Sequence, residues 1–295
     1  MLLANADDFG LTPGVNRSIV ELHAARALSS ATLMATGPFF DDAVRLAHDH
    51  PTLEVGCHIL LVDGAPALPP RKIPTLCPNG QTFRPTLTHF VRDLLTFRIR
   101  AEEIVAEAMA QILRLQAAGL HVSHIDTHKH THLFSGVLRP LLKAARACGI
   151  PAIRNPFEPA WALRATPSAS SLRRLAVVAL RTEHRGFLGR VRLAGLATPS
   201  GTIGVLATGT HGPDAVRSTL RALISALPPP PASAPPPIWE LVCHPGHLDS
   251  HLEAVRTRLR ASRADEHAAL LELLPAIPLA SWRSLSSGTN PAPPA

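Results

Sequence analysis

Short apolar runs that stop at an acid or a histidine, each followed by an amphipathic stretch, constrain this chain most. The first run, residues 2–4, gives out at Asn5-Ala6-Asp7-Asp8-Phe9-Gly10, and Pro13-Gly14 follows. An apolar strand that ends in charge and turns into a helix opens a βα unit. The pattern recurs. Strands are expected at 30–35, 53–58, 121–126, 152–154, 202–206, 238–243 and 277–280. Helices are expected at 15–28, 38–48, 102–118, 138–148, 213–227 and 262–274. About eight strands with helices between them predict an α/β fold, a TIM-barrel-like (β/α) barrel, closed or distorted. One domain is expected over 1–282, with a tail from 283 to 295 too polar and Pro-rich to pack.

Two stretches break the rhythm. Between residues 60 and 88, Pro66, Pro69, Pro70, Pro74, Pro78 and Pro85 exclude regular helix or strand interiors. So long a loop, leaving directly from His58, reads as a lid or binding loop, the other reading being disorder. Residues 228–237 are Pro-dense and read as a solvated linker. Residues 172–196 interleave apolar side chains with Arg173, Arg174, Arg181, Arg185, Arg190 and Arg192. The plain reading is a solvated helix face; the functional one is a basic apolar surface resting on a membrane or a lipid substrate.

The chain has 295 residues, 46% of them hydrophobic, so a sizeable core is available. It contains no Tyr and few aromatics, which argues against an aromatic stacking platform for nucleic acid. The formal charge of +7 suits an acidic partner or an anionic membrane surface. Cys57, Cys77, Cys148 and Cys243 form no paired motif and fit a reducing compartment, with Cys57 and Cys243 packed in the core. Acid by residue 7 argues against a signal peptide, and no run reaches transmembrane length, so a cytoplasmic location is expected.

In parallel α/β folds the chemistry gathers at the carboxyl ends of the strands. Those ends carry Asp7 and Asp8, then His58, then Asp126, His128 and His130, then His244. Alternation along a strand turns Asp7 and Asp8 in different directions, so one can hold a metal while the other takes a proton. Alone, the Asp pair reads as a helix cap with a spare acid. Asp126, His128 and His130 share a face if that segment stays extended. A carboxylate with two imidazoles makes a catalytic metal site with open positions. His132, four residues after His128, is the rival to His58 as the second imidazole. His124 is assigned to packing or to support behind the ligands. His23, His48, His50, His89, His184, His251 and His267 are assigned to solvent.

Taken together, NADDFG, VGCHILL, HIDTHKHTH, Arg154-Asn155-Pro156 and CHPGHLD resemble the YdjC-like carbohydrate deacetylases, in family order from Asn5 to about Asp249. That family includes chitooligosaccharide deacetylases and deacetylases associated with hopanoid biosynthesis. The resemblance implies a barrel-like α/β fold and a divalent metal, Mg or Zn, held at the positions of Asp8, His58 and His128. It implies Asp7 as catalytic base and His244 as acid, with Asp126, His130 and Arg154 supporting the ligands or the substrate. Lys129 stands where the family often has a histidine, so a role of that middle histidine does not carry over, while the ligand position is unaffected. Val62-Asp63-Gly64 and the paired prolines lean toward the hopanoid-associated branch.

The resulting expectation is a metal-dependent hydrolase that removes acetyl from an N-acetylglucosamine-type sugar, free or lipid-linked. It would rest reversibly on the inner face of a membrane, with oligomerisation left open. Two other classes fit some features. His124-Ile125-Asp126 with a distal histidine imitates the facial triad of iron oxygenases, whose usual host is an all-β fold. A basic membrane- or nucleic-acid-binding protein with passive histidines would need no catalysis; nucleic acid is not expected here.

Overall fold

The computed structural model describes residues 1–166, 171–210, 212–229, 236–255, 257 and 259–286. In chain order the elements are β1 (Leu2–Phe9), α1 (Pro13–Ala24), β2 (Ser30–Leu33), α2 (Phe40–Asp49), β3 (Glu54–Ile59), α3 (Leu87–Leu95), α4 (Ala101–Ala117), β4 (Val122–Thr127), α5 (Ser135–Ala147) and α6 (Ala160–Ala165). There follow α7 (Ser171–Leu180), α8 (His184–Leu193), β5 (Gly201–Ile203), α9 (Pro213–Ser225), β6 (Trp239–Cys243), α10 (Ser250–Ala254), α11 (Ser262–Leu273) and α12 (Trp282–Ser286).

The six strands form one sheet in the order β4-β3-β2-β1-β6-β5. Every pair is parallel. Helices and loops cover the sheet, so its strands are buried from end to end, as parallel strands are. The sheet curls into a partial barrel. Single bridges span its gap: Ile125 pairs with Ile153, and Ala152 with Ala197. Across the same gap, the Thr202 amide donates to the Phe157 carbonyl. The expected strands at 152–154 and 277–280 are therefore single bridges, the second joining Leu279 to Leu2. Each is too brief to build a ladder, and only the first lies in the gap of the barrel, since Leu2 belongs to the interior strand β1.

β1 runs further than its apolar residues suggest, through Asn5, Asp7 and Asp8 to Phe9, and all eight residues are buried. Its polar side chains point into a polar barrel interior. Helix α1 starts where the turn chemistry asks. The Thr12 side chain accepts from the Val15 amide and Pro13 occupies the first turn. Cys57 and Cys243 pack in the core, and the four cysteines are unpaired.

The Pro-rich insertion is ordered, and α4 explains why. Ile104, Ala108, Ile112 and Leu115 face the core, while Glu103, Glu107 and Gln111, four apart, form a buried polar stripe. Glu107 accepts from the Ala67 and Leu68 amides at 2.7 and 3.0 Å. Glu103 accepts from Thr75 and Leu76, and Gln111 exchanges two bonds with the Leu60 backbone. A loop without its own ladder thus borrows acceptors from a helix. Of the expected tail, residues 283–286 belong to α12, and 287–295 lie outside the described residues. So do 230–235 of the Pro-dense linker.

Candidate active site

Four strand ends and one turn bring the acids and histidines together at the carboxyl rim. Between Ala6 and Phe9 the register of β1 on β2 shifts, and Asp8 takes a left-handed φ of 66°. That conformation costs a non-glycine residue about 1–2 kcal/mol. Its effect is to aim Asp8 at the ring that Asp7 also faces. Simple alternation would have sent the two carboxylates to opposite faces.

Asp8 Oδ1 lies 3.6 Å from His58 Nε2 and 3.7 Å from His128 Nδ1, and the two imidazole nitrogens are 3.3 Å apart. Ligands about 2.1 Å from a tetrahedral ion stand about 3.4 Å from one another. The triangle fits a divalent cation. Asp8 Oδ1 is buried and has no hydrogen-bond partner. A buried carboxylate oxygen left without a donor is costly, and a cation would satisfy it. Its other oxygen accepts from Arg263. Burial pushes the Asp8 carboxyl up, but Arg263 and the surrounding histidines outweigh it and keep the group ionised.

His58 donates from Nδ1 to Asp126 Oδ1 at 2.8 Å. A carboxylate can only accept, so Nδ1 keeps its proton, and Nε2, which faces Asp8 and His128, is the nitrogen that gives up its proton to present a lone pair to a metal. Burial pulls the His58 pKa down, yet Asp126, Asp7 and Asp8 together raise it to about 9. Burial instead takes His128 down to about 4, against the pull of Asp8.

Beneath this triangle lies Arg154, fully buried. It donates to both Asp7 oxygens, at 2.9 and 2.7 Å, and to Glu240 at 2.8 Å, and it pairs with Asp126. Asn5 and Thr32 also donate to Asp7. Burial alone would raise the Asp7 carboxyl; the Arg154 guanidinium and the nearby histidines hold it well below the usual range. Burial raises Glu240 to about 7, with Arg154 opposing. Removing the cation would leave these acids facing one another. Arg154→Met is expected to cost about 3–5 kcal/mol, read as a lower urea midpoint. An unchanged midpoint would mean that the carboxylates are held by something other than Arg154.

His244 Nε2 stands 3.7 Å from Asp7 Oδ2, and its Nδ1 has no hydrogen-bond partner. Its backbone amide donates to Glu266. Asp126 thus backs His58, and Arg154 backs Asp7. The segment after β4 does not stay extended: residues 128–133 form a tight turn, with φ of 56° at Lys129 and 50° at His130. The turn keeps His128 in the triangle. His130 stays outside the triangle; burial first, then Arg154, lowers its pKa to about 3. Lys129 pairs with Asp63 and so fastens the Pro-rich insertion to the turn that carries His128.

His132 bonds through Nδ1 to the Thr127 hydroxyl, and its amide donates to the same oxygen. It shapes the turn and does not join the triangle. His124 stacks on Trp282 with ring centroids 3.7 Å apart, which is packing. Arg263, Glu240, Thr32 and Glu266 were missed from sequence. Glu240 alone carried a signal, an acid in the middle of an apolar strand (Trp239–Cys243).

The fold and the rim together define a class: an α/β barrel-like protein with a candidate metal centre of Asp, His and His at the carboxyl ends of its strands. The chain belongs to the YdjC-like protein family, whose model matches residues 1–273. Curated relatives include a carbohydrate deacetylase of Brevibacillus brevis, 40% identical over 156 residues that cover 53% of this chain and 59% of the relative. Another, from Vibrio parahaemolyticus, is 35% identical over 153 residues, or 51% of this chain and 57% of the relative. The chain thus spans less than two thirds of the length of these relatives. A crystal structure from Enterococcus faecalis, described as a cellobiose-phosphate cleavage protein, shares the fold. Its TM-score is 0.70 at 24% identity, covering 96% of this chain and 98% of that one.

Proposed function

We propose that this protein is a metal-dependent carbohydrate N-deacetylase, acting on an N-acetylglucosamine-type sugar. The observation that carries this reading is the triangle of Asp8 Oδ1, His58 Nε2 and His128 Nδ1, with Asp7 and His244 beside it. The names of the curated relatives point the same way.

Asp8, His58 and His128 would hold the cation. When bound, a divalent ion polarises an acyl oxygen and makes a nearby water acidic at neutral pH. Asp7 is assigned the proton of that water. The Arg154 fork that fixes its position also weakens it as a base, so it acts only on water already acidified. His244 is assigned the opposite transfer. Water oxygen joins the acyl carbon, the C–N bond breaks, and His244 gives a proton to the departing nitrogen. The products are acetate and a free amino sugar. Asp126 keeps the His58 lone pair in place throughout. His130, outside the triangle, is assigned to the sugar side of the pocket.

An acetate-release screen tests this, using soluble chitooligosaccharides and N-acetylated glycolipids with magnesium, zinc and other divalent ions. Acetate and free amine should appear in equal amounts on at least one substrate. Neither appearing, on any substrate with any metal, would overturn the reading.

Metal binding should also release a proton. His58, raised to about 9, is protonated at neutral pH without metal, whereas His128 at about 4 and the ionised Asp8 are ready ligands. Since the metal must displace the His58 proton, affinity should rise about tenfold per pH unit from pH 5 to 8. Titration calorimetry in buffers of different ionisation enthalpy should count about one proton released at pH 7. A count of zero would mean that His58 is already neutral at pH 7 without metal.

A lipid-carried substrate is the finer reading, and α7 and α8 favour it. Leu175, Val178 and Leu193 are exposed, Leu193 at 84%, with Arg185 and Arg192 exposed among them. Phe187 on the inner side of α8 packs near His132, so α8 lies over the turn that carries His128. Arg174 does not face outward, since it donates to the Leu163 and Thr166 carbonyls. Binding to anionic vesicles should fall as salt screens surface charge over about 8 Å. Arg185→Gln with Arg192→Gln should weaken it severalfold and leave hydrolysis of a soluble sugar unchanged. Brisk turnover of chitooligosaccharides without vesicle binding at low salt would assign a soluble substrate. Among the described residues no helix is long and apolar enough to cross a membrane.

A further inference from the structure

We propose a second divalent-cation site on the outside of the barrel, formed by Glu21, His247 and His267. The three come from separate elements: α1, the segment after β6, and α11. One ligand atom from each lies within 4.8 Å of the others. Glu21 Oε2 is 2.6 Å from His247 Nε2 and 4.0 Å from His267 Nε2. The two imidazole rings are tilted at 51° to one another with centroids 4.5 Å apart. A zinc-class ion wants about 3.4 Å between ligand atoms. The short contact must open by about 0.8 Å and the long one close by about 0.6 Å. Both glutamate and His247 sit at the surface, with side chains 46% and 36% exposed, and have room to do so.

His267 supplies the second observation. Its side chain is only 14% exposed, and its Nδ1 lies 2.7 Å from the Ser18 hydroxyl. With Nδ1–H donating to Ser18, the Nε2 lone pair is aimed at Glu21 and His247, the arrangement by which a hydroxyl or carbonyl fixes a ligating imidazole. Two imidazoles with one carboxylate select borderline ions such as zinc or nickel over magnesium. Solvent would complete the coordination.

Position gives the site a consequence. His247 is joined to His244 through Pro245-Gly246. On α11, Glu266 accepts from the His244 amide, and Arg263 reaches Asp8 and the His244 carbonyl. A cation joining α1, α11 and His247 would therefore pin the segment that carries His244 against the rim.

Zinc itself is the probe, on the full chain with His58→Ala and His128→Ala to disable the first centre. Competition with a chromophoric chelator should count one zinc per chain in that background and none once His267→Gln and His247→Gln are added. Zinc should raise the thermal midpoint of the first protein and leave the second unmoved. Magnesium should do neither. Circular dichroism of each apo protein confirms that it is folded. Should the first protein take up no zinc, or the second keep its equivalent, the Glu21–His247 contact is an ordinary ion pair and the proposal falls. Neither result bears on the deacetylase reading, which rests on the other centre.

Discussion

Alanine at His58 is expected to leave the protein folded and without tightly held metal. Asp8 and His128 would remain, two groups too few to retain a catalytic ion through desalting. Asp126→Asn is the graded companion. It leaves all three ligand atoms in place, weakens the acceptor behind His58 and removes one of the charges that Arg154 faces; the loss behind His58 costs about 10–100-fold in metal affinity. Elemental analysis of both proteins gives the answer. A His58→Ala protein with full occupancy would break the ligand set, and His132, fixed to Thr127, would not repair it without rebuilding the turn.

Asp7→Asn should lose about 10²–10⁴ in turnover while metal content stays near wild type. The amide keeps the size of the carboxylate but cannot take a proton. It also meets the Arg154 fork with one oxygen where the carboxylate offers two, so a lower thermal midpoint should accompany the kinetic loss. The split between metal content and turnover is the diagnostic. Retained turnover removes Asp7 as base; loss of both metal and turnover exchanges the roles of Asp7 and Asp8.

The rim was legible because its residues end strands. Asp8, His58 and His128 each follow or close an apolar run, and a period of two or 3.6 finds such runs from the chain alone. What supports them was legible only in part: Asp126 and Arg154 were named through the family resemblance, but what they pair with was not, because those pairings lie far apart in sequence. Arg154 sits in a segment of single bridges, yet it meets acids from β1, β4 and β6. Arg263 lies on a helix whose pattern gives no reason to bury a cation, and it closes on Asp8 from 255 positions away. The left-handed turn at Asp8 could not be read either, since aspartate tolerates that conformation without demanding it. The Pro-rich insertion was legible as an interruption but not as an ordered one. Its order comes from Glu103, Glu107 and Gln111, whose spacing on α4 looks solvent-facing until the loop is laid over it.

The central proposal is a hydrolysis, in which solvent oxygen ends on the acyl carbon. The most direct measurement is turnover of an N-acetylated sugar in ¹⁸O-enriched water, with mass analysis of both products. One labelled oxygen in each released acetate, none in the amino sugar, and no release after chelation is the expected result. Unlabelled acetate, a labelled sugar, or release that persists without metal would contradict the proposal.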